Sequence, residues 1–281
     1  MTSITNFLAN SLNALGSSWG VGVFPRQPTP LGMDSVLQNA PPSTQLGKSD
    51  NQAPGRATKT SEYRIGSLSA NFEAVSHDPG TVSTGKNDPG GVSYGLFQMA
   101  SKKGVPQAFI NSRECSKWAH EFKGLTAGTP QFSAAWKSIA AREPQAFGDA
   151  QYHYIKRTSY DKVVSDIQQS DGLDVNSRSN AIKEVVWSSR VQSGGAASFI
   201  SRAIQMTDAK LARTHNNYDL QLLHTIYDQR TAYMANLRTK ALKEGRKGDA
   251  STFANIISTR MPRERALAVQ MLEAERAAKV K

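Results

Sequence analysis

Three carboxylates fall in one stretch of this chain: Glu73, Asp78 and Asp88 lie within NFEAVSHDPGTVSTGKNDPGGVSYGLFQM, residues 71–99. Glu73 follows Phe72 and stands on the flank of an apolar stripe formed by Ile65, Leu68, Phe72 and Val75 at helical spacing. A carboxyl on an apolar wall loses solvation for its charged form, so its pKa rises and it can hold a proton near neutrality. Such a group is equipped to protonate the leaving oxygen of a glycosidic bond as positive charge develops on the sugar. Most glutamates on a helix flank are simply solvated, and spacing alone does not separate the two cases. A second carboxylate would complete an acid–base pair, for which Asp78 and Asp88 are the candidates. Each precedes Pro and Gly, so each equally suits an Asx turn that caps its own backbone. Asp88 is preferred because it lies nearest the alternating run GVSYGLFQM, the expected opposite wall.

Those residues need a scaffold, and the rest of the chain supplies mainly helical signals. Ser61 suits the N-cap of the helix that carries Ile65, Leu68 and Phe72. HDPG and NDPGG are turn sequences, and GVSYGLFQM reads as one short strand with Val92, Tyr94 and Leu96 on a common face. Pro106 opens a helical segment with Phe109, Ile110 and Trp118, and Phe147, Ala150 and Tyr154 mark another. SRSNAIKEVVWSSRVQSGG places Ala181, Ile182, Val185 and Val186 on one side and stops at Gly194 and Gly195. Asn217 precedes a long stripe through Leu223, Ile226, Tyr227, Met234 and Leu237 that ends before Gly245, and a last helix runs from about Pro262 to Lys279. Residues 1–60 have a different texture, rich in Pro, Ser, Gln and Gly, and are expected to form a flexible or docking arm with a short amphipathic piece at Ile4–Leu15. The division expected is therefore an arm over 1–60 and a catalytic domain over 61–281.

The chain of 281 residues carries 34 basic and 23 acidic side chains, a net charge of +11, which suits an anionic partner. One cysteine, Cys115, excludes an intramolecular disulfide framework, and a helical offset of five residues puts it on a different face from His120. No HExxH or Cys/His ligand spacing and no phosphate- or dinucleotide-binding glycine pattern occurs, so no cofactor or metal is expected. The opening residues lack a basic n-region and a continuous apolar run, so neither a signal peptide nor a membrane span is expected.

The order of Glu73, a turn region and SYGLFQM resembles the catalytic glutamate and following GLMQ strand of goose-type lysozymes and soluble lytic transglycosylases. VWSSRVQSGGAASFI (186–200) is similar to their YNAG-type helix junction, with Gln192 where Asn is usual, and IYDQRTAYM (226–234) to their late helix with a Tyr and a basic residue facing the cleft. More broadly, residues 61 to about 275 look like a lysozyme-like module of phage virion proteins and secretion-system effectors. The landmarks are Phe72–Glu73, Asp88–Gln98, Ser177–Gln192 and Glu264–Arg265. The resemblance implies a mainly α, two-lobed lysozyme-like domain with a small β element, acting as a muramidase on the peptidoglycan glycan strand. In that reading Glu73 is the general acid and Asp88 the second carboxylate, while Ser93, Tyr94, Gln98, Gln192 and Tyr227 contact sugar.

The implied setting is a virion or a secretion apparatus, docked through residues 1–60, that delivers the chain to the bacterial periplasm and cell wall. Three alternatives stand beside it. A lytic transglycosylase would use the sugar's own N-acetyl group in place of a second carboxylate. A chitosanase-like glycosidase shares a helix-end glutamate, but a chain of this charge should be repelled by a polycation. A structural or nucleic-acid-binding virion protein would use the late basic residues Arg260, Arg263, Arg265, Lys279 and Lys281. No nucleic-acid reader motif supports that last role, so nucleic acid is not the expected partner.

Overall fold

The computed structural model describes residues 64–70, 72, 78–86, 88 and 90–279. The arm over 1–60, the Ser61 cap, Glu73 and Val75 lie outside the described residues. From Ile65 onward the described residues belong to one compact unit. It is mainly α-helical with a very small β element, as the periodicity predicts.

The helices begin and end where local chemistry requires. A short helix α1 covers Ser67–Ala70, and α2 covers Val105–Ile110 with Pro106 in its first turn. A 3-10 stretch, Arg113–Phe122, buries Cys115, Trp118 and Phe122. Helix α3, Pro130–Arg142, starts on a proline whose missing N–H costs a helix nothing there, and the Thr129 side chain accepts from the Phe132 N–H. Helix α4, Pro144–Ile155, runs through a π turn at Lys156–Tyr160 into α5, Asp161–Asp171, which ends at Gly172 in the left-handed region. Ser179 caps α6, Asn180–Gln192, by accepting from the Ile182 N–H. Helix α7 spans Ala196–Asp208 and the 26-residue α8 spans Tyr218–Lys243. Helix α9, Lys247–Asn255, passes through a second π turn at Ile256–Arg260 into α10, Met261–Lys279.

Helix α8 packs against α7, α9 and α10, while α6 lies against α8, α10 and the short α1. This arrangement makes α6 a central helix. Its buried positions include Ala181, Ile182, Val185, Val186 and Trp187, and also the polar Glu184, Ser188, Ser189 and Gln192. A second aromatic cluster holds α2, α3 and α4 together: Trp136 stacks on Phe132 at 6.0 Å and meets Phe147 edge-on at 4.9 Å.

The run GVSYGLFQM departs from the expected single strand. It folds back on itself as a hairpin of two-residue strands, β1 (Ser93–Tyr94) and β2 (Met99–Ala100), antiparallel with Ser93 opposite Ala100 and Tyr94 opposite Met99. The reversal needs left-handed backbone at Gly95, φ +71°, and at Gln98, φ +47°. An extended strand has no place for either, and alternation alone does not reveal the turn. The preceding segment lies beside β1: Val82 bridges Tyr94, the Gly95 N–H donates to Thr81 O at 2.7 Å, and the Ser83 N–H donates to Ser93 O.

Candidate functional site

The entry to the Glu73 segment is fastened by a buried carboxylate. Glu184, fully buried on α6, accepts from the N–H groups of Gly66 (2.9 Å), Ser67 (3.1 Å) and Leu68 (3.1 Å) and from the Ser67 hydroxyl (2.9 Å). A helix N-terminus leaves its first N–H groups without intrahelical partners, and Glu184 supplies them from a different helix. The Ile65 N–H donates to the Tyr152 hydroxyl at 3.0 Å, and the Tyr152 ring stacks on Trp187. At the far end of α1 the Phe72 N–H donates to Ser69 O, and the Arg260 guanidinium lies 5.7 Å over the Phe72 ring. The next residue, Glu73, is outside the described residues, as are the four that follow it.

The exit from that segment is fastened as firmly. Pro79 O accepts from Trp136 Nε1 at 2.8 Å and from Gln151 Nε2 at 3.0 Å, both buried. The other end of the Gln151 amide accepts the Leu96 N–H at 2.9 Å, at the tip of the hairpin. One side chain, fully buried on α4, therefore joins the exit of the Glu73 segment to the wall that carries Gln98. Gly95 is obligatory here, because a Cβ at that position would fall 2.2 Å from Gln151 Oε1. The hairpin tip is also held from α6, where Phe97 meets Trp187 edge-on at 6.2 Å.

Both aspartates form the turns their sequence suggests. Asp78 Oδ1 accepts the Gly80 N–H at 2.8 Å, and Asp88 Oδ1 accepts the Gly90 N–H at 2.7 Å. Asp78 is exposed and Asp88 half-buried. Asp88 leads directly into the hairpin, and the Lys102 N–H beyond β2 donates to Gly90 O, which closes the loop onto the wall. Gln98, half-buried, donates from Nε2 to Gly95 O at 3.0 Å.

Behind Phe72 lies a buried charge cluster. Glu264 Oε1 accepts from Arg230 (2.7 Å), the Tyr227 hydroxyl (3.1 Å) and the Ser188 hydroxyl, while Oε2 accepts from Arg260 Nε at 2.8 Å. Arg230 and Glu264 have no exposed surface. Burial alone would push the Glu264 carboxyl up, but Arg230 and Arg260, with the Ser188 hydroxyl, hold it down at about 2. Burial and the neighbouring Glu264 raise the Tyr227 phenol well above its ordinary value, so it stays a donor. Arg230 Nε donates to Gln192 Oε1 at 2.8 Å, which fixes that amide's orientation and leaves its buried Nε2 with no hydrogen-bond partner among the described residues.

The second carboxylate and the residues expected to contact sugar thus separate into two groups. Asp88, Ser93, Tyr94 and Gln98 belong to the hairpin and its entry loop; Gln192 and Tyr227 belong to the charge cluster on α6 and α8. Tyr94 is fully buried, its hydroxyl bonded to Ser133 Oγ and accepting the Gly128 N–H. Ser93 is buried with its N–H on Ser83 Oγ, and Tyr227 is buried on Glu264 rather than presenting a ring face. Sequence reading overlooked Glu184 and Gln151, and gave Arg260 only as one of a late basic group. A signal for part of this was present: Glu184, Ser188 and Gln192 recur every four residues inside an apolar helix, a polar stripe that a buried helix keeps only if it has partners. Among the described residues no group of His, Cys, Asp and Glu could hold a metal ion, and no helix is long and apolar enough to cross a membrane.

Residues 65–250 match the family described as "Type VI secretion system spike protein VgrG3-like, C-terminal". The type VI secretion system spike protein VgrG3 of Vibrio cholerae serotype O1 is 33% identical over 188 residues, which is 65% of this chain and 18% of that protein. The chain thus spans less than a fifth of the length of the relative it matches. The chain belongs to the VgrG3-like C-terminal family. That finding corrects the kinship drawn from motifs with goose-type lysozymes, soluble lytic transglycosylases and a lysozyme-like virion module. The matched family is that of a secretion spike, and two residues on which the motif resemblance leaned, Gln192 and Tyr227, pack into a buried charge cluster.

Proposed function

We propose that this VgrG3-like domain cuts the glycan strand of peptidoglycan, with Glu73 as the general acid. The observation that carries the reading is the Gln151 clamp, which fastens the exit of the Glu73 segment and the tip of the Gln98 hairpin to the two ends of one buried amide. Acid catalysis of bond cleavage needs a proton donor held at a fixed distance from the scissile oxygen, since small displacements cost large factors in rate. The described residues on either side of that position are fastened to helices, Gly66–Leu68 by Glu184 and Pro79 by Gln151 and Trp136, which supports the reading. Gln98 spends its Nε2 on Gly95 O, which leaves its amide oxygen to accept from a sugar acetamide N–H. In this reading Asp88 activates water from the wall side, and the charge of +11 draws the domain to an anionic wall polymer.

Membership of a secretion-spike family suggests the route. The domain would travel with a type VI spike into a neighbouring cell and meet peptidoglycan there, with residues 1–60 joining it to the apparatus. A second reading is favoured by the Asx turn that engages Asp88 Oδ1. If Asp88 serves only that turn, the substrate's own N-acetyl group takes the place of the second carboxylate and the reaction is a transglycosylation.

Turbidity loss of purified sacculi tests both readings. Glu73→Gln is expected to slow digestion by on the order of 100-fold or more relative to the unaltered chain. Asp88→Asn should be as damaging if it is half of a pair, and mild if it only caps a turn. Equal digestion by Glu73→Gln and the unaltered chain would remove Glu73 from the mechanism.

A further inference from the structure

We propose that the hollow between α2 and the 3-10 stretch Arg113–Phe122 binds free carboxylates of the peptide stems carried by the glycan strand. The proposal rests on the reading above for its polymer, peptidoglycan, and is independent of which side chain cuts it. The hollow has a volume of about 610 Å³ and is lined by Gln107, Asn111, His120 and Lys123, with the apolar Ile110 and Leu125 beside them. No Asp or Glu is among its lining residues. Among the described residues the side chains of Asn111, His120 and Lys123 make no hydrogen bond or ion pair. Other cations of the same stretch are taken: Arg113 pairs with Glu114 and Lys117 with Glu143.

The donors are held in place from both sides. Gln107 Oε1 accepts the Ala127 N–H at 3.1 Å, which fixes that amide and leaves its Nε2 to donate. The loop making this contact is tied to the hairpin, where the Gly128 N–H donates to the Tyr94 hydroxyl at 3.0 Å. The Lys123 N–H donates to His120 O at 3.3 Å and the Leu125 N–H to Phe122 O at 3.0 Å, so the turn carrying Lys123 closes onto the stretch carrying His120. A carboxylate only accepts, and it matches amide donors set beside an unpaired ammonium with no competing anion. The Asn111 carbonyl can accept a stem peptide N–H, and Ile110 and Leu125 suit a small aliphatic side chain. The larger hollow between α8 and α10 does not offer this chemistry, because its Arg265 is already engaged by His224 Nδ1 and Asp228.

The test titrates the full chain with a soluble stem tetrapeptide bearing free carboxylates, and separately with the same peptide amidated at every carboxyl. NMR reads the side-chain amide signals of Gln107 and Asn111. We expect the carboxylate peptide to move both signals and the amidated one to leave them in place. Lys123→Glu should weaken binding on the order of 5-fold, since an exposed attraction becomes a repulsion. Lys123 is exposed, so this variant should keep the thermal midpoint of the unaltered chain. Equal shifts from the two peptides, no shift from the carboxylate peptide, or unchanged affinity in Lys123→Glu would each overturn the proposal. Inorganic phosphate that moves the signals at lower concentration than the peptide would overturn it too, by making the ligand a phosphate. Binding needs no cut bond, so undigested sacculi with the peptide still bound would sink the glycosidase reading alone.

Discussion

Gln151 uses both ends of one amide on backbone groups; its replacement leaves Pro79 O with Trp136 Nε1 alone and takes the side-chain acceptor from the Leu96 N–H. Each buried unsatisfied group costs roughly 1–3 kcal/mol. Gln151→Leu should therefore lower the urea midpoint by an amount equivalent to about 1–3 kcal/mol, and activity should fall further than stability accounts for. Gly95→Ala acts on the same contact from the other side: its Cβ would fall 2.2 Å from Gln151 Oε1, at a backbone φ of +71°. Glu264 supplies a pH test. Its carboxyl is depressed from 4.5 to about 2, so the stability it contributes is present above its unfolded value and is lost as pH falls from about 4.5 towards 2. Acid unfolding of the unaltered chain should show a limb in that window, and Glu264→Gln should flatten it. The same variant should be less stable at pH 7 by roughly 3–5 kcal/mol, because Arg230 is left buried without its counter-charge.

At the scale of elements, helices were the legible part of the sequence. Pro106 at the start of α2, Asn217 before α8, and Gly194 and Gly245 beyond the ends of α6 and α8 are local signals, and local chemistry decides them. The hairpin was not legible as such, because GVSYGLFQM alternates like one strand and the reversal depends on a glycine fitting against a glutamine some fifty residues away. The two π turns left no mark in periodicity, and the partners of the Glu184–Ser188–Gln192 stripe come from α1, α8 and α10, distant in sequence. The candidate residues Asp88, Ser93, Tyr94 and Gln98 are neighbours in sequence and fall on one hairpin and its entry loop, while the burial of Tyr94, Gln192 and Tyr227 is set by partners distant in sequence that a motif does not show. The 3-10 stretch Arg113–Phe122 allows a simple check of packing. Burial, with Glu121 nearby, pushes the Cys115 thiol up to about 12. Iodoacetamide should leave Cys115 unlabelled in the folded chain at pH 8 and label it once denaturant exposes it; rapid labelling of the native chain would show that this element opens readily.

For the whole molecule, charge and family point the same way. A net charge of +11 over the whole chain favours an anionic partner, and the proposed substrate is one. Attraction between exposed charges is screened within about 8 Å at physiological ionic strength, so binding to sacculi should weaken as salt is raised to 0.5 M. Cleavage of short neutral fragments should be far less sensitive to salt, because it depends on the clamped segment rather than on the charge of the surface. The central claim concerns which bond is broken, and mass spectrometry of the soluble products of digested sacculi reads it directly. The account predicts fragments with newly formed sugar ends and intact peptide cross-links from the unaltered chain, and none from Glu73→Gln. Peptide fragments released from uncut glycan strands, or identical products from the two proteins, would contradict it.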